Sequence, residues 1–316
     1  MSSTINVSAE NSTITGAKPG RRSLLKGAGF SAVALGALTM LRPETAAGQT
    51  AAGQTAAIQT NALTDADILN FALNLEYLEA EFYLNAVYGH GLRHSQSTGM
   101  GGNPGVVTGG GKMVGFSNKY LFQYAQEIAN DELNHVLFLR AALGSAAVAR
   151  PALNLSTSFT TLARAAGVIG QHETFDPFLN EQNFLLGAFI FEDVGVTAYN
   201  GAAAAITSKS YLTAASSILA VEAYHAASIR VQLIQQGLVK PANQISALRA
   251  ALSSQVAPGT GDDQGLTLNG KLNVVPTDSN SLAFARTPGQ VLNIVYGGGS
   301  ASSYLFFPDK LNGTIS

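Results

Sequence analysis

The chain has 316 residues, a formal net charge of −2 and only 12% charged residues, so it carries no basic footprint for nucleic acid. That length accommodates one main domain with appendages. It has no cysteine, which excludes disulfides, thiolate ligands, iron–sulfur clusters and a fused rubredoxin-type electron donor, so any reductant must come from outside the chain.

Residues 1–47 read as a twin-arginine export signal. Arg21-Arg22-Ser23-Leu24-Leu25-Lys26 is followed by the uncharged run Gly27–Met40, and the small residues Thr45-Ala46-Ala47 mark the expected cleavage region; Leu24 stands where such motifs usually carry Phe. The uncharged run falls short of the ~20 apolar residues of a spanning helix, so no permanent membrane span is expected. The mature protein is expected in the periplasm or outside the cell. Residues 48–61 form a small-residue linker, continuing the Ala-Ala-Gly-Gln-Thr repeat of 46–55.

Residues 62–254 carry four long helical patterns. The first begins after the cap Thr64, with Asp65 and Asp67 in its first turn, and stops at Gly89. Its apolar stripe reads Leu69, Ala72, Leu73, Glu76, Ala80, Tyr83, Val87, so Glu76 points inward. Glu79, about 60° around the helix, is a substitute ligand or a supporting group, whereas Glu81, about 140° away, is expected in solvent. Residues 89–116 hold ten glycines and form a long surface loop. The second helix runs from the cap Ser117 to about Ala142 and contains Glu132-Leu-Asn-His135. A crossing segment over 152–179 includes a short helix at Ser158–Ala166.

The third helix, 180–206, has the stripe Leu185, Phe189, Glu192, Val196, Tyr199, with Glu192 inward. The fourth, Ser208 to Gln236, contains Glu222-Ala-Tyr-His225 and ends at the C-cap signal Gly237. A short fifth helix starts at Pro241 and reaches about Ser254. Residues 255–316 change character: Gly, Pro, Asn and Asp punctuate β-type runs such as Leu272–Val275 and Val291–Tyr296, which predicts a small β-rich or extended tail on the bundle.

Each Glu-x-x-His places a carboxylate and an imidazole on one helix face. With 11 Glu and 5 His in the chain, random placement gives only about 0.2 such pairs. The register around them repeats: Ile128, Glu132, His135, Leu139, Arg140 match Ile218, Glu222, His225, Ile229, Arg230. The two lone-glutamate stripes match as well, each placing a tyrosine seven residues on (Glu76 with Tyr83, Glu192 with Tyr199). Isolated buried carboxylates cost several kcal/mol, which favours a cation among them. One Glu from each of two helices and one Glu-x-x-His from each of two others are the ligand set of a dinuclear site. A bundle that keeps a polar core without metal is the competing reading.

At this point the chain resembles the ferritin-like di-iron and di-manganese carboxylate proteins, which have the order Glu, Glu-x-x-His, Glu, Glu-x-x-His; the resemblance covers about residues 62–240. The phrases Ile68–Tyr83 and Ala283–Tyr296 resemble the branch of that superfamily that includes plant desiccation-related proteins. The implied fold is an all-α ferritin-like four-helix bundle with long connections. The implied ligands are Glu76, Glu132, His135, Glu192, Glu222 and His225, holding two Fe or two Mn ions; oxygen-rich sites with neutral imidazoles suit these better than Cu. In related sites an Asp often precedes the Glu of Glu-x-x-His. Asp131 fits, but its counterpart is Val221, so the two metal positions are expected to be unequal. Asp193 is a weaker supporting candidate. Tyr83, Tyr199 and Tyr224 are expected to pack in the core with hydrogen-bonded hydroxyls rather than serve radical or redox roles, Tyr83 and Tyr199 as supporting groups of the site, and His90, His94 and His172 to be solvated loop residues.

The leading functional expectation is an exported dinuclear metalloprotein doing redox chemistry with a small oxidant, peroxide or dioxygen. Peroxide disproportionation suits a chain without a built-in electron donor. The alternatives are a non-enzymatic stress-protection protein with a structural metal, and iron oxidation or storage. A homo-oligomer is compatible with all three.

Overall fold

The computed structural model describes residues 63–299 and 304–316. The export signal at 1–47 and nearly all of the linker at 48–61, with residue 62, lie outside the described residues. Among those described, the chain is mainly α-helical, and no helix is long and apolar enough to cross a membrane.

Four long helices form the bundle: α1 (Asp65–Tyr88), α3 (Lys119–Leu143), α5 (Glu181–Ala203) and α6 (Lys209–Gln235). Short elements lie between them, namely α2 (His94–Ser97), β1 (Val107–Thr108), β2 (Leu153–Asn154) and α4 (Thr157–Ala165). α1 packs along α3, and α5 along α6. Local chemistry sets the boundaries. Thr64 and Asp67 form a capping box at the start of α1, and Gly89 ends it at φ 72°, a conformation that favours glycine. Ser208 caps α6. The cap of α3 is Asn118 rather than Ser117, because the Asn118 side chain accepts from the amides of Tyr120 and Leu121.

α1 is buried around its whole circumference from Ile68 to Val87. The segment expected as a free surface loop is part of the reason. β1 pairs in parallel with β2, joining Val107 to Leu153 and Thr108 to Asn154, and Met100 donates to the Ala147 carbonyl at 2.7 Å. Gly99 permits this crossing, since a Cβ there would lie 2.3 Å from the same carbonyl oxygen. Two buried asparagines of α1 are satisfied by segments that cover the helix. Asn70 bonds to Ala146 and Val148, and Asn74 to Asn312.

The tail is less β-rich than its composition suggests. After α7 (Val239–Val256) it forms one hairpin of two-residue strands, β3 (Thr267–Leu268) and β4 (Lys271–Leu272). The run Val291–Tyr296 is helical instead, within or capping α8 (Pro288–Val295). Thr287 and Gln290 form a capping box there, Pro288 occupies the first turn, and Val291, Ile294 and Val295 share one buried face. α8 packs on α5 and α7.

Candidate metal centre

Glu76 comes from α1, Glu192 from α5, and the two Glu-x-x-His pairs from α3 and α6. Donor atoms of Glu76, Glu132, His135 and Glu222 lie within 4.8 Å of one another, and those of Glu132, Glu192, Glu222 and His225 make a second such group. Glu132 and Glu222 belong to both groups, so they stand where two positions share ligands. The Nδ1 of His135 is 3.3 Å from Glu76 Oε2, 3.5 Å from Glu132 Oε2 and 3.6 Å from Glu222 Oε1. His225 Nδ1 is 3.0 Å from Glu132 Oε1 and 3.5 Å from Glu192 Oε2.

A metal pair fits these residues on one direct observation. Glu76 Oε2, both oxygens of Glu132 and of Glu222, Glu192 Oε2 and both histidine Nδ1 atoms are buried without a hydrogen-bond partner. Each such atom costs about 1–3 kcal/mol if left unpaired, and here they all face one another. Two cations would satisfy the whole set together.

The electrostatics agree. Burial, reinforced by Glu132 and opposed by His135, pushes the Glu76 carboxyl up to about 7. Burial and neighbouring carboxylates also raise Glu79 and Glu222, and burial raises Glu192 against the pull of His225. Despite its burial, Glu132 is held well below the usual carboxylate range by the two imidazoles beside it. Burial disfavours the His135 cation, but Glu76 and Glu132 outweigh it and push the imidazole up to about 11. Against its burial, Glu192, Asp131 and Glu132 likewise push the His225 imidazole up, so protonation is favoured at both histidines without metal and each must release a proton to become a ligand.

Supporting groups hold the carboxylates from behind. The Tyr83 hydroxyl donates to Glu192 Oε1, and the Tyr199 hydroxyl to Glu76 Oε1. Asp131 Oδ2 lies 3.2 Å from Nε2 of His225, across the bundle from its own helix. The matching position on α6 is Val221, which offers His135 no such partner. Glu79 is buried beside the cluster, and a Cβ placed on Gly195 would lie 2.4 Å from Glu222 Oε2 and 3.6 Å from Glu79 Oε1.

Three expectations are corrected. Asp193 does not support the cluster: its carboxylate takes Arg230 at 2.9 and 2.8 Å and Arg249 at 2.7 Å. Its position one residue after Glu192 turns it about 100° away, towards the tail. Glu81 is not in solvent, because it is buried in an ion pair with Arg150 and accepts from the Leu92 amide. Tyr224 is 75% exposed rather than packed in the core. His90, His94 and His172 are exposed.

The Asp193 network was not legible from the sequence. Arg249 also meets Asp263 at 2.9 Å, and Arg286 meets Asp263 at 2.7 Å, so three tail residues, Asp262, Asp263 and Arg286, are tied to α5, α6 and α7. The one signal was charge in a charge-poor chain, the adjacent pair Asp262-Asp263 and the lone arginine of the tail, Arg286. A cavity of about 80 Å³ beside this network, lined by Val196, Ala226, Phe284 and Arg286, touches none of the six cluster residues.

Comparison with known proteins agrees with this architecture. The model of the ferritin-like domain matches residues 64–235, which span all four bundle helices. The desiccation-related protein PCC13-62 of Craterostigma plantagineum is 33% identical over 248 residues, covering 72% of this chain and 76% of that protein. The ferritin-like catalase Nec2 of Nesocodon mauritianus is 29% identical over 271 residues, covering 80% of this chain and 85% of that protein. The chain belongs to the ferritin-like family, in its desiccation-related branch, and its buried carboxylate and histidine cluster fits a dinuclear metal site.

Proposed function

We propose that this chain is an exported dinuclear Fe or Mn protein that disproportionates hydrogen peroxide. The observation that carries the reading is the convergence of unpaired buried oxygens and imidazole nitrogens from four helices. Glu76 and His135 would hold one ion, Glu192 and His225 the other, with Glu132 and Glu222 shared. Fe and Mn match this oxygen-rich donor set. When bound there, a redox-active pair of ions would supply a two-electron couple.

The reaction converts two molecules of hydrogen peroxide into two of water and one of dioxygen, so it needs no outside reductant. That suits a chain without cysteine or a fused electron donor. A relative named as a ferritin-like catalase supports the same choice. The chain's own residues orient the ligands and exclude water. Tyr83 and Tyr199 fix one oxygen each of Glu192 and Glu76, leaving the other free, and Asp131 fixes the His225 ring so that Nδ1 faces the cluster.

The twin-arginine reading of residues 1–47 joins this proposal, since that route carries folded proteins with cofactors already inserted. Replacing Arg21-Arg22 by Lys-Lys should retain the precursor inside the cell, and unchanged delivery would assign export to another route.

Oxygen evolution from peroxide by Fe- or Mn-loaded protein tests the activity. Full metal content without turnover favours the second reading, a stress-protection protein with a structural metal, which the desiccation-related relative supports. Iron storage is the third reading, and a size measurement showing a multi-subunit cage would favour it.

A further inference from the structure

A small cavity of about 10 Å³, room for one water-sized molecule, lies between α1, α5 and the tail. Its walls are apolar and include Leu75 and Leu78 from α1, Phe191 and Val194 from α5, and Val295 and Phe306 from the tail. Val295 is 4% exposed and Phe306 fully buried, so the tail supplies one wall of the chamber. The matched ferritin-like domain ends at residue 235, which makes this cover an addition of the C-terminal segment.

Two residues break the apolar lining, and both face the cluster. Gly195 supplies no side chain, and any Cβ there would collide with the Glu222 carboxylate, so nothing from α5 separates the chamber from Glu222 at that point. Glu79 lines the chamber and is 95% buried as a residue, and no hydrogen bond among the described residues ends on its carboxylate. It is an acceptor without a donor, beside space for one small molecule. Dioxygen has no hydrogen to offer it, whereas hydrogen peroxide has two O–H groups.

We propose that this cavity is the access chamber through which hydrogen peroxide reaches the cluster, that Glu79 accepts a peroxide O–H on the way, and that the one-molecule chamber excludes organic hydroperoxides. The proposal rests on the peroxide reading above and assigns its substrate size and the residue that receives it.

The chain lacks cysteine, so one introduced thiol reports on the chamber by itself. Full-length protein loaded with redox-silent zinc carries Val194→Cys in the wall or, as a control, Tyr224→Cys on the surface. Attack of the thiolate sulfur on a peroxide oxygen breaks the O–O bond, forms a sulfenic acid and releases hydroxide, or an alkoxide from an alkyl hydroperoxide. The chamber thiol should prefer hydrogen peroxide over tert-butyl hydroperoxide by about tenfold more than the control does, because a packed wall does not yield to the larger molecule. Leu75→Cys repeats the test from the facing helix if the first variant folds poorly. Equal preference at chamber and surface, or no reaction of either chamber thiol, overturns the proposal.

A second arm uses Mn-loaded protein. Glu79→Leu should raise KM for hydrogen peroxide about tenfold with kcat and metal content nearly unchanged, and Glu79→Gln, which keeps an acceptor oxygen, should recover most of the loss. An unchanged KM in Glu79→Leu overturns the assignment of Glu79. If wild-type protein does not turn over peroxide while the thiol keeps its preference, the chamber stands and the proposed reaction falls.

Discussion

The Tyr83 hydroxyl on α1 donates to Glu192 on α5, and the reciprocal bond runs from Tyr199 on α5 to Glu76 on α1. Each lone glutamate is thus held by the tyrosine of the opposite helix, which gives the matched seven-residue spacing a physical meaning. Burial and the neighbouring glutamates push both phenols well above their usual range, so they remain donors. Tyr83→Phe or Tyr199→Phe leaves one more buried carboxylate oxygen unpaired and should cost about 1–3 kcal/mol of stability. Calorimetry of the metal-loaded variants checks this, and unchanged melting would mean that the hydroxyls do not hold the glutamates.

Metal-free protein should lose stability as pH rises from about 5 to 9. Glu76 is raised from 4.5 to about 7 and His135 from 6.5 to about 11, so across this window the folded state binds more protons than the unfolded chain. The stabilisation is fully present below the unfolded values and is lost as pH climbs through the folded ones. Metal loading releases the same protons and should tighten as pH rises. Melting curves of chelator-treated protein across the window are the check, and a melting temperature that climbs with pH would contradict the arrangement.

Glu76→Gln and Glu81→Gln should fail in different ways. The first removes one charge from the cluster and should weaken metal binding while the bundle still folds. The second breaks the buried pair with Arg150 and should cost about 3–5 kcal/mol of stability with metal content preserved in the folded fraction. Side-by-side metal titration and denaturation separate them. Greater metal loss in the Glu81 variant would misplace the α1 ligand.

Gly195→Ala adds a methyl group where Glu222 Oε2 would be 2.4 Å away. The carboxylate must move off its shared position, so metal affinity should fall about tenfold or more. Equal metal affinity in the two proteins would show that Glu222 has room to spare.

The periodic parts of the molecule are legible in the sequence. Two Glu-x-x-His words and two matched stripes single out six residues that the structure brings to one place, because an i, i+3 pair on an apolar face has only the bundle interior to enter. Non-local features were not readable. Glu81 sits off the apolar stripe, and its partners Leu92 and Arg150 arrive from distant segments. Asp193 is buried by Arg230 and Arg249, and nothing in the local pattern of α5 announces either. Val291–Tyr296 is a short β-branched run whose period is ambiguous, and the capping chemistry of Thr287-Pro288 decides it in favour of helix.

Metal stoichiometry decides the dinuclear assignment. Elemental analysis of protein purified from its native exporter, with anomalous scattering from its crystals, should give about two equivalents of Fe or Mn per chain, since six ligands serve two ions when glutamates bridge them. His135→Ala with His225→Ala should abolish that loading. A single zinc in a closed tetrahedral site, or full metal content in the double variant, would contradict the dinuclear assignment.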